Sequence, residues 1–567
     1  VDGAPARGSA QVERFLRHRG LIGLAAGCAM AEAVLLILLA PAALSLAPQV
    51  TALPPLAVFH DLRWLFGYNR SWLEFAAGGA LLVLARAALD TILVRLAWPR
   101  DLQPPGVRAT FSASLLFTLL AGVLLVPIVT LVFGVAVLPF SWPFLAAVPV
   151  LLAITVPLSH GGVTVTWWRR LPPGRAVGWA IVCFVEYSLL GVVLPRLPAA
   201  GVVAAAGLAG VVNARAWYGL TAAMARPVMA QPRHYRPLGW IPVAPVAAVG
   251  VFALAIGAAR VIFDAAGTAP HVGIAAASSA GLAAAAGSVS GMATKQKPAA
   301  GGRERAVLVI AGFGSSCCTT AEGLQDAVPG MLVQQFSYLG MDSAGKPLPQ
   351  GPQASNMPLP ALGDMIAAQV TRLRAQTGQP VDLVAESEGT LGVYAALALH
   401  PALPVRSVAL LSPIVAPGQA TFPQGGQQGQ GMAAGYALSV LNRLVGEMSP
   451  FGAAGAGRLI DSVSSVGARY AAAIATHTTS ARWLALVPLA DAVTLPTCSM
   501  PSNVRFVPAF HGGLLGDPPV LGMVRDFLTG RQVDGGQNLR TAAELLSSAA
   551  AAWRMPERSA PSPPCPA

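Results

Sequence analysis

The sequence predicts two folded parts of different class. A polytopic all-α membrane domain comes first, followed by an α/β domain built on a doubly wound, mostly parallel sheet with an inserted cap. Three observations lead there. Hydrophobic residues make up 54% of the chain and charged residues only 11%, whereas a soluble globular protein carries about 25% charged residues. Part of the chain therefore belongs in lipid. Long uncharged runs fill the chain before about residue 265, and ordinary globular composition follows about residue 304. From residue 305 onward, β-type runs alternate with helix-type runs, the pattern of a parallel sheet with right-handed crossovers.

Residues 1–20 read as a cytoplasmic N-terminal tail, and residues 21–264 as a membrane domain of about seven helices. The expected spans are 21–47, 73–97, 109–138, 143–160, 176–194, 200–222 and 240–262, each near the ~20 residues that cross a bilayer core. The first run is too long for the apolar core of a cleavable signal peptide. "LPFSWP" splits the third and fourth spans with two prolines and Trp142 at an interfacial turn. Arginines set the orientation. Arg14, Arg17 and Arg19 precede the first span; Arg95, Arg100 and Arg108, then Arg169, Arg170 and Arg175, then Arg226, Arg233 and Arg236 fill alternate connections. By the positive-inside rule these ends are cytoplasmic, and an odd number of spans carries the C-terminal domain outside.

Residues 265–304 are rich in Ala, Gly and Ser and read as a flexible linker. The alternative is an eighth span over 271–294, which would return the C-terminal domain to the cytoplasm. Ala, Gly and Ser contribute little insertion energy beside Leu, Ile and Phe, which favours the linker. Glu32, Glu74, Arg86, Asp90, Glu186 and Arg215 fall inside expected spans, where such groups are costly. Arg86 and Asp90 share a helix face at i,i+4. A structural ion pair is favoured over a transport pathway, because no pair of broken helices marks a substrate site.

The net charge of +12 raises nucleic-acid binding, but the basic residues sit in short loops between apolar runs. No basic patch interleaves with aromatics as such binding requires, so no nucleic-acid partner is expected. No Cys/His spacing suggests a metal site, and no cofactor is expected.

In the α/β domain, strands are expected at 306–314, 331–338, 381–387, 405–413, 482–491 and 503–513. Helices are expected near 320–327, 358–376, 389–400 and 517–529. Ligands of such sheets bind beyond the carboxyl ends of the strands. Ser387 stands at one of those ends, in Ala385-x-Ser387-x-Gly389, with a strand before it and a helix directly after.

That pattern resembles the nucleophile elbow of the α/β-hydrolase fold, with Ala385 in place of the first glycine and Thr390 where many members carry another glycine. Small residues on either side let a sharp turn lift the serine oxygen above the sheet. The resemblance covers 305–530 and implies a serine, acid and histidine in that order. His511 ends the last expected strand in "FHGGLLGDPP" and is the sole histidine after Asp491. It resembles the catalytic base, and Asp491 in "LVPLADAVTLP" the acid, with Asp461 and Glu447 as rivals inside the insert. "AGFGSS" resembles the oxyanion loop, which implies an oxyanion hole from the N–H groups of Phe313 and Glu388.

Two glutamates flank the serine. Either they impose a negative field on His511, raising its pKa, or they turn away into capping and loop hydrogen bonds. Residues 415–480 break the sheet pattern and read as a cap or lid suited to a lipid-like acyl substrate, or equally as a cover that only completes a pocket. Cys28 and Cys183 fall in spans and read as packing residues. Cys317 and Cys318 lie near the same sheet edge as Cys498, so one disulfide is geometrically feasible there, which would suit an oxidising exterior; free buried thiols are the alternative. The segment 531–567 ends in "RSAPSPPCPA" and is expected to be disordered.

The sequence therefore implies a membrane-anchored, extracytoplasmic serine hydrolase of carboxylic esters, with membrane lipids among its partners and lipid esters among its candidate substrates. An acyltransferase using the same acyl-serine intermediate is one alternative. A transporter or receptor whose hydrolase-like domain only binds is another.

Overall fold

The computed structural model describes residues 4–135, 156, 160, 173–229, 305–317, 322–414, 431–437, 440, 457–463, 466, 469–470, 481–490, 503–533 and 539–556. Among the described residues the N-terminal part is built of helices: α1 (Ala4–Leu39), α2 (Leu56–Tyr68), α3 (Trp72–Ala97), α4 (Val107–Val135), α5 (Gly174–Val193) and α6 (Ala199–Met229). Among the described residues, four helical stretches are long and apolar enough to cross a membrane: Arg17–Leu39, Val107–Val126, Gly174–Arg196 and Ala199–Ala225. Helix α3 is not among these four; it carries Glu74, Arg86, Asp90 and Arg95. The expected spans at 143–160 (apart from Val156 and His160) and 240–262, and the linker at 265–304 with its eighth-span alternative, lie outside the described residues.

Small residues let α1 and α6 approach closely, as membrane helices commonly do. A Cβ on Gly210 would lie 2.5 Å from the Ala26 Cα. The first helix is shorter than expected at its far end. It stops at Leu39, and a 3₁₀ turn follows over Pro41–Leu46. Pro41 has no N–H to continue the ladder and disfavours helix at the residue before it.

Residues 43–53 then tuck inside the helices, with Gln49 and Thr51 buried. Their polar groups are met there. Glu32 accepts hydrogen bonds from the N–H groups of Gln49 (3.3 Å) and Val50 (2.8 Å). Arg86 donates to the Val50 carbonyl at 2.7 Å and forks onto Asp61 at 2.7 and 2.8 Å. Asp90, the i,i+4 neighbour, lies 3.8 Å from the Arg86 guanidinium. Asp61 on α2, rather than Asp90, is thus the main partner of Arg86. Sequence spacing shows pairs within a helix and is blind to pairs between helices. The ionisable residues here tie a buried loop to its helices.

The C-terminal domain carries six strands: β1 (Arg305–Ile310), β2 (Met331–Gln335), β3 (Val381–Glu386), β4 (Val405–Leu411), β5 (Arg482–Ala490) and β6 (Val504–Phe510). They form one parallel sheet in the order β2-β1-β3-β4-β5-β6. Each falls within or one residue from an expected run. Helices α7 (Glu322–Ala327), α8 (Leu359–Thr377), α9 (Glu388–Leu399) and α11 (Pro518–Leu528) also stand where expected, and the short α10 (Gly457–Ser462) belongs to the insert.

Side chains alternate across the pleat and divide the core in two. Leu308, Ile310, Leu383, Ala385, Val408 and Leu410 pack with α8 and α9 on one face. Val307, Val309, Val384, Ala409, Leu411 and Leu486 pack with α7 and α11 on the other. Both faces are covered, so the strands read as near-continuous apolar runs. Strand β1 pairs with β2 on one side and β3 on the other. The chain thus reverses its winding direction between β1 and β3, and the carboxyl ends of those two strands flank a crevice.

The segment after Arg531 differs from the disorder expected of it. Helix α12 (Arg540–Ala551) forms within it and continues as an ordered turn to Pro556. Ala552 and Trp553 are buried among the membrane helices. The composition of the final residues concealed an amphipathic stretch that acquires order by contacts far away in sequence. Residues 557–567 lie outside the described residues.

Candidate active site

The crevice between β1 and β3 is where Ser387 and His511 meet. Strand β3 ends at Glu386, α9 begins at Glu388, and Ser387 alone joins them. Its backbone sits at φ 53°, ψ −120°, a region that costs a non-glycine residue about 1–3 kcal/mol. The turn is held on three sides. The Ser387 N–H donates to the Leu411 carbonyl at 3.0 Å. Its own carbonyl accepts from the Thr390 N–H at 2.9 Å and the Thr390 hydroxyl at 2.6 Å. The same Thr390 oxygen accepts from the Ile414 N–H at 3.1 Å, so Thr390 fastens the elbow to the chain leaving β4.

The small residues around Ser387 have steric causes. Ala385 is fully buried and pairs in register with Ile310. A Cβ on Gly389 would lie 2.6 Å from the Ile310 carbonyl oxygen, so no side chain fits there. Across the crevice, a Cβ on Gly312 would lie 2.9 Å from the Ser387 Cβ. The loop 311–314 is therefore in contact with the serine. It is braced from behind: the Tyr338 hydroxyl donates to the Ala311 carbonyl at 2.9 Å, and the Gly314 N–H donates to Ser355 Oγ at 2.9 Å. Phe313 lies between these two tethers, partly buried against the α8–α9 core. Glu388 opens α9, where the first N–H groups of a helix have no intrahelical acceptor.

His511 follows β6, and Gly512 and Gly513 turn the chain through φ 80° and 82°. This double left-handed turn, which glycine alone adopts without strain, delivers the ring to the elbow. His511 Nε2 lies 2.7 Å from Ser387 Oγ, hydrogen-bonding distance for a nucleophile and its base. Ser387 and His511 are half-buried, open enough to meet a substrate.

The flanking glutamates have separate fates. Glu386 is buried and its Oε1 accepts the Leu514 N–H at 2.7 Å, capping the 3₁₀ turn Leu514–Gly516 just beyond His511. Burial raises its pKa, while the Leu514 and Leu515 N–H groups and His511 act to lower it. Glu386 thus anchors the histidine loop, the second of the two sequence readings. Glu388 satisfies neither. Its carboxyl is buried, with no hydrogen-bond partner for either oxygen among the described residues, and burial drives its pKa well above the ordinary carboxylate value. Burial without a partner favours its protonated form.

Asp491 lies outside the described residues, as do Glu447, Cys318 and Cys498; Asp461 lies on α10, its side chain undescribed. Cys317 is disulfide-bonded, while Cys28 and Cys183 are free. Among the described residues, no three His, Cys, Asp or Glu side chains stand together as a metal site would need. Sequence reasoning missed the bracing residues Tyr338 and Ser355 and the anchoring role of Glu386. Tyr338 and Ser355 sit beyond the end of β2, where no spacing rule points at a loop some 25–40 residues earlier.

No protein-family model and no curated protein matches the chain. Solved structures do. Aspergillus fumigatus lipase B is 14% identical at a TM-score of 0.25, over 45% of this chain and 63% of the lipase, so the match spans less than two thirds of that enzyme. A monoacylglycerol lipase from Paleococcus ferrophilus is 16% identical at a TM-score of 0.24, over 44% of this chain and 96% of that one. A 2-hydroxy-6-oxo-6-phenylhexa-2,4-dienoate hydrolase from Rhodococcus sp. strain RHA1 is 16% identical at a TM-score of 0.27, over 40% and 91%.

Proposed function

We propose that the chain is a membrane-anchored serine hydrolase that cleaves carboxylic esters through an acyl-serine intermediate. One observation carries the reading: on a strained strand-to-helix elbow, Ser387 Oγ stands 2.7 Å from His511 Nε2. A serine hydroxyl is a poor nucleophile until an adjacent base takes its proton. Ser387 Oγ attacks the ester carbonyl carbon as His511 Nε2 accepts the hydroxyl proton. The carbonyl oxygen gains the negative charge and meets the N–H groups of Phe313 and Glu388. The C–O bond to the alcohol breaks, and the imidazolium gives its proton to the leaving oxygen. Water then attacks the acyl-serine with His511 as base, releasing the carboxylic acid and restoring Ser387. Asp491 is assigned the acid that orients His511 and stabilises its imidazolium.

The domain is assigned to the extracytoplasmic side. The arginine-bearing ends of the helices mark the cytoplasm. Ser548, Ala551 and Ala552 touch the opposite ends, at Ser45 and Gly191, and Trp553 stacks on Phe184 midway along α5. A disulfide at Cys317 suits that oxidising compartment, with Cys498 as the proposed partner site.

The test is labelling with a fluorophosphonate probe together with turnover of a short-chain ester. Ser387→Ala should abolish both while membrane insertion is kept. His511→Ala should lower turnover about 10³-fold or more, as removal of a triad base does. Undiminished hydrolysis by Ser387→Ala would overturn the assignment.

A further inference from the structure

The C-terminal segment joins the two halves of the molecule. Toward the sheet, Ala543 of α12 is buried with Val487 and Phe506. Toward the membrane helices, the Trp553 ring stacks on Phe184 at 5.1 Å, and its Nε1–H donates to Ser188 Oγ at 3.1 Å. Carbonyls at the end of the segment are gathered by buried donors. Gln49 Nε2 donates to the Ala552 carbonyl at 2.8 Å, and Arg63 Nη1 donates to the Ala552 carbonyl at 3.0 Å and the Arg554 carbonyl at 2.8 Å. Arg63 is fully buried, so the guanidinium is committed to this contact. Gly191 makes room for it, since a Cβ there would lie 2.9 Å from the Ala552 Cβ.

The cap insert joins the same two halves independently. It leaves β4 at Ile414, which bonds to Thr390 three residues beyond Ser387. Its residues 457–463 and 469–470 lie on the hydrolase core: Leu459 and Tyr470 are buried with α8, and Ser462 Oγ accepts the Leu359 N–H at 2.9 Å. Its stretch 431–437 lies elsewhere. Ala433 and Ala434 are buried against Val58, Leu62 and Phe66 of α2, Ala121 and Val129 of α4, and Met555 of the C-terminal segment. The Tyr436 ring lies 5.1 Å from Trp72. The element rooted beside the nucleophile is therefore packed on the membrane helices. The neighbouring faces of those helices expose Leu73, Leu81, Val123 and Leu124 to at least 70% each, the surface that lipid tails would cover.

We propose that residues 539–556 are a clasp which, with the insert helix at 431–437, seats the catalytic domain on the membrane helices, and that the substrate is a long-chain acyl ester resident in the bilayer. This rests on the serine-hydrolase reading above. A freely tethered hydrolase would need no committed buried arginine and no cap fixed to membrane helices. A water-soluble ester reaches Ser387 from solution whatever the seat. An ester dissolved in the leaflet reaches it only if the site is held at the membrane, so the clasp should control turnover of one class and not the other.

The experiment uses the full chain reconstituted in phosphatidylcholine vesicles, with p-nitrophenyl butyrate as the soluble ester and a fluorogenic diacylglycerol carrying long acyl chains as the embedded one. Trp553→Ala and Tyr436→Ala lie on separate contacts, both away from the catalytic groups. Each should keep short-chain turnover within about twofold, which reports an intact catalytic domain, and lose at least about tenfold on the embedded ester, a typical cost for an aromatic interface anchor. Trp553→Phe, which keeps the stacked ring, should restore most of the loss. If both variants turn over the embedded ester as the parent does, the clasp does not present substrate. If both activities fall together in both variants, the clasp only stabilises the fold. Either result overturns the proposal. A parent chain that cleaves neither ester would instead overturn the hydrolase reading.

Discussion

Gly312→Ala is the sharpest probe of the crevice, because its cost falls on geometry alone. The added Cβ would lie 2.9 Å from the Ser387 Cβ, 3.3 Å from the Glu386 carbonyl oxygen and 3.5 Å from Ser387 Oγ. Carbon atoms in contact prefer about 3.5–4.0 Å, so loop and serine must part by roughly 0.6 Å or more. The Ser387 backbone is held by Leu411 and Thr390, so the loop with Phe313 has to give. A displacement near 1 Å of a reacting group costs about 10²-fold in rate. We expect kcat/KM for a short-chain ester to fall about 10–100-fold, or ~1.4–2.7 kcal/mol of transition-state stabilisation. Stability should barely change. Gly312 is absent from the positive-φ residues, so alanine adopts its backbone conformation and restricts the unfolded chain, a gain of about 0.4–1 kcal/mol that offsets part of the crowding. Steady-state kinetics beside a thermal melt reads both effects. Gly389→Ala is the contrast: its Cβ would meet the Ile310 carbonyl oxygen at 2.6 Å, in the backbone of a central strand, so activity and fold should suffer together. Full activity in Gly312→Ala would refute the contact between the loop and Ser387 on which the proposed oxyanion hole depends.

Three further predictions follow from the site and the topology. Burial raises the Glu388 pKa in the folded chain above the ordinary value of 4.5; as pH rises past that value the unfolded chain releases this proton before the folded chain does, and stability falls, by up to about 1.4 kcal/mol per unit. Glu388→Gln should therefore melt higher than the parent by a margin that widens as pH rises above the ordinary carboxylate value, and a margin independent of pH would contradict the raised pKa of the buried acid. Asp491→Asn should lower kcat by about 10³–10⁴-fold with the fold intact; a silent substitution would move the acid to the insert. Protease added outside cells stripped of any outer barrier should cut between residues 265 and 305, and cleavage seen only after the membrane is breached would place the catalytic domain in the cytoplasm.

What the sequence determined by itself was whatever depends on local pattern. Apolar run length marked the helices α1, α4, α5 and α6, and β-type runs marked all six strands, because burial on both faces of a parallel sheet makes each strand continuously apolar. The elbow was legible because it needs small residues at fixed offsets from Ser387, and steric demands of that kind are written in adjacent positions. The tertiary structure decided what depends on distance through space. It brought His511 within 2.7 Å of a serine 124 residues away, gave Arg86 to Asp61 rather than to its helical neighbour Asp90, and set Glu386 to cap the histidine loop while leaving Glu388 without a hydrogen-bond partner among the described residues. It also ordered the final helix, whose Ala552 and Trp553 find their partners some 365–500 residues earlier in the chain. A polar or aromatic side chain states in sequence only that it needs a partner; desolvation on folding makes that need costly, and the packing of distant elements decides which group meets it.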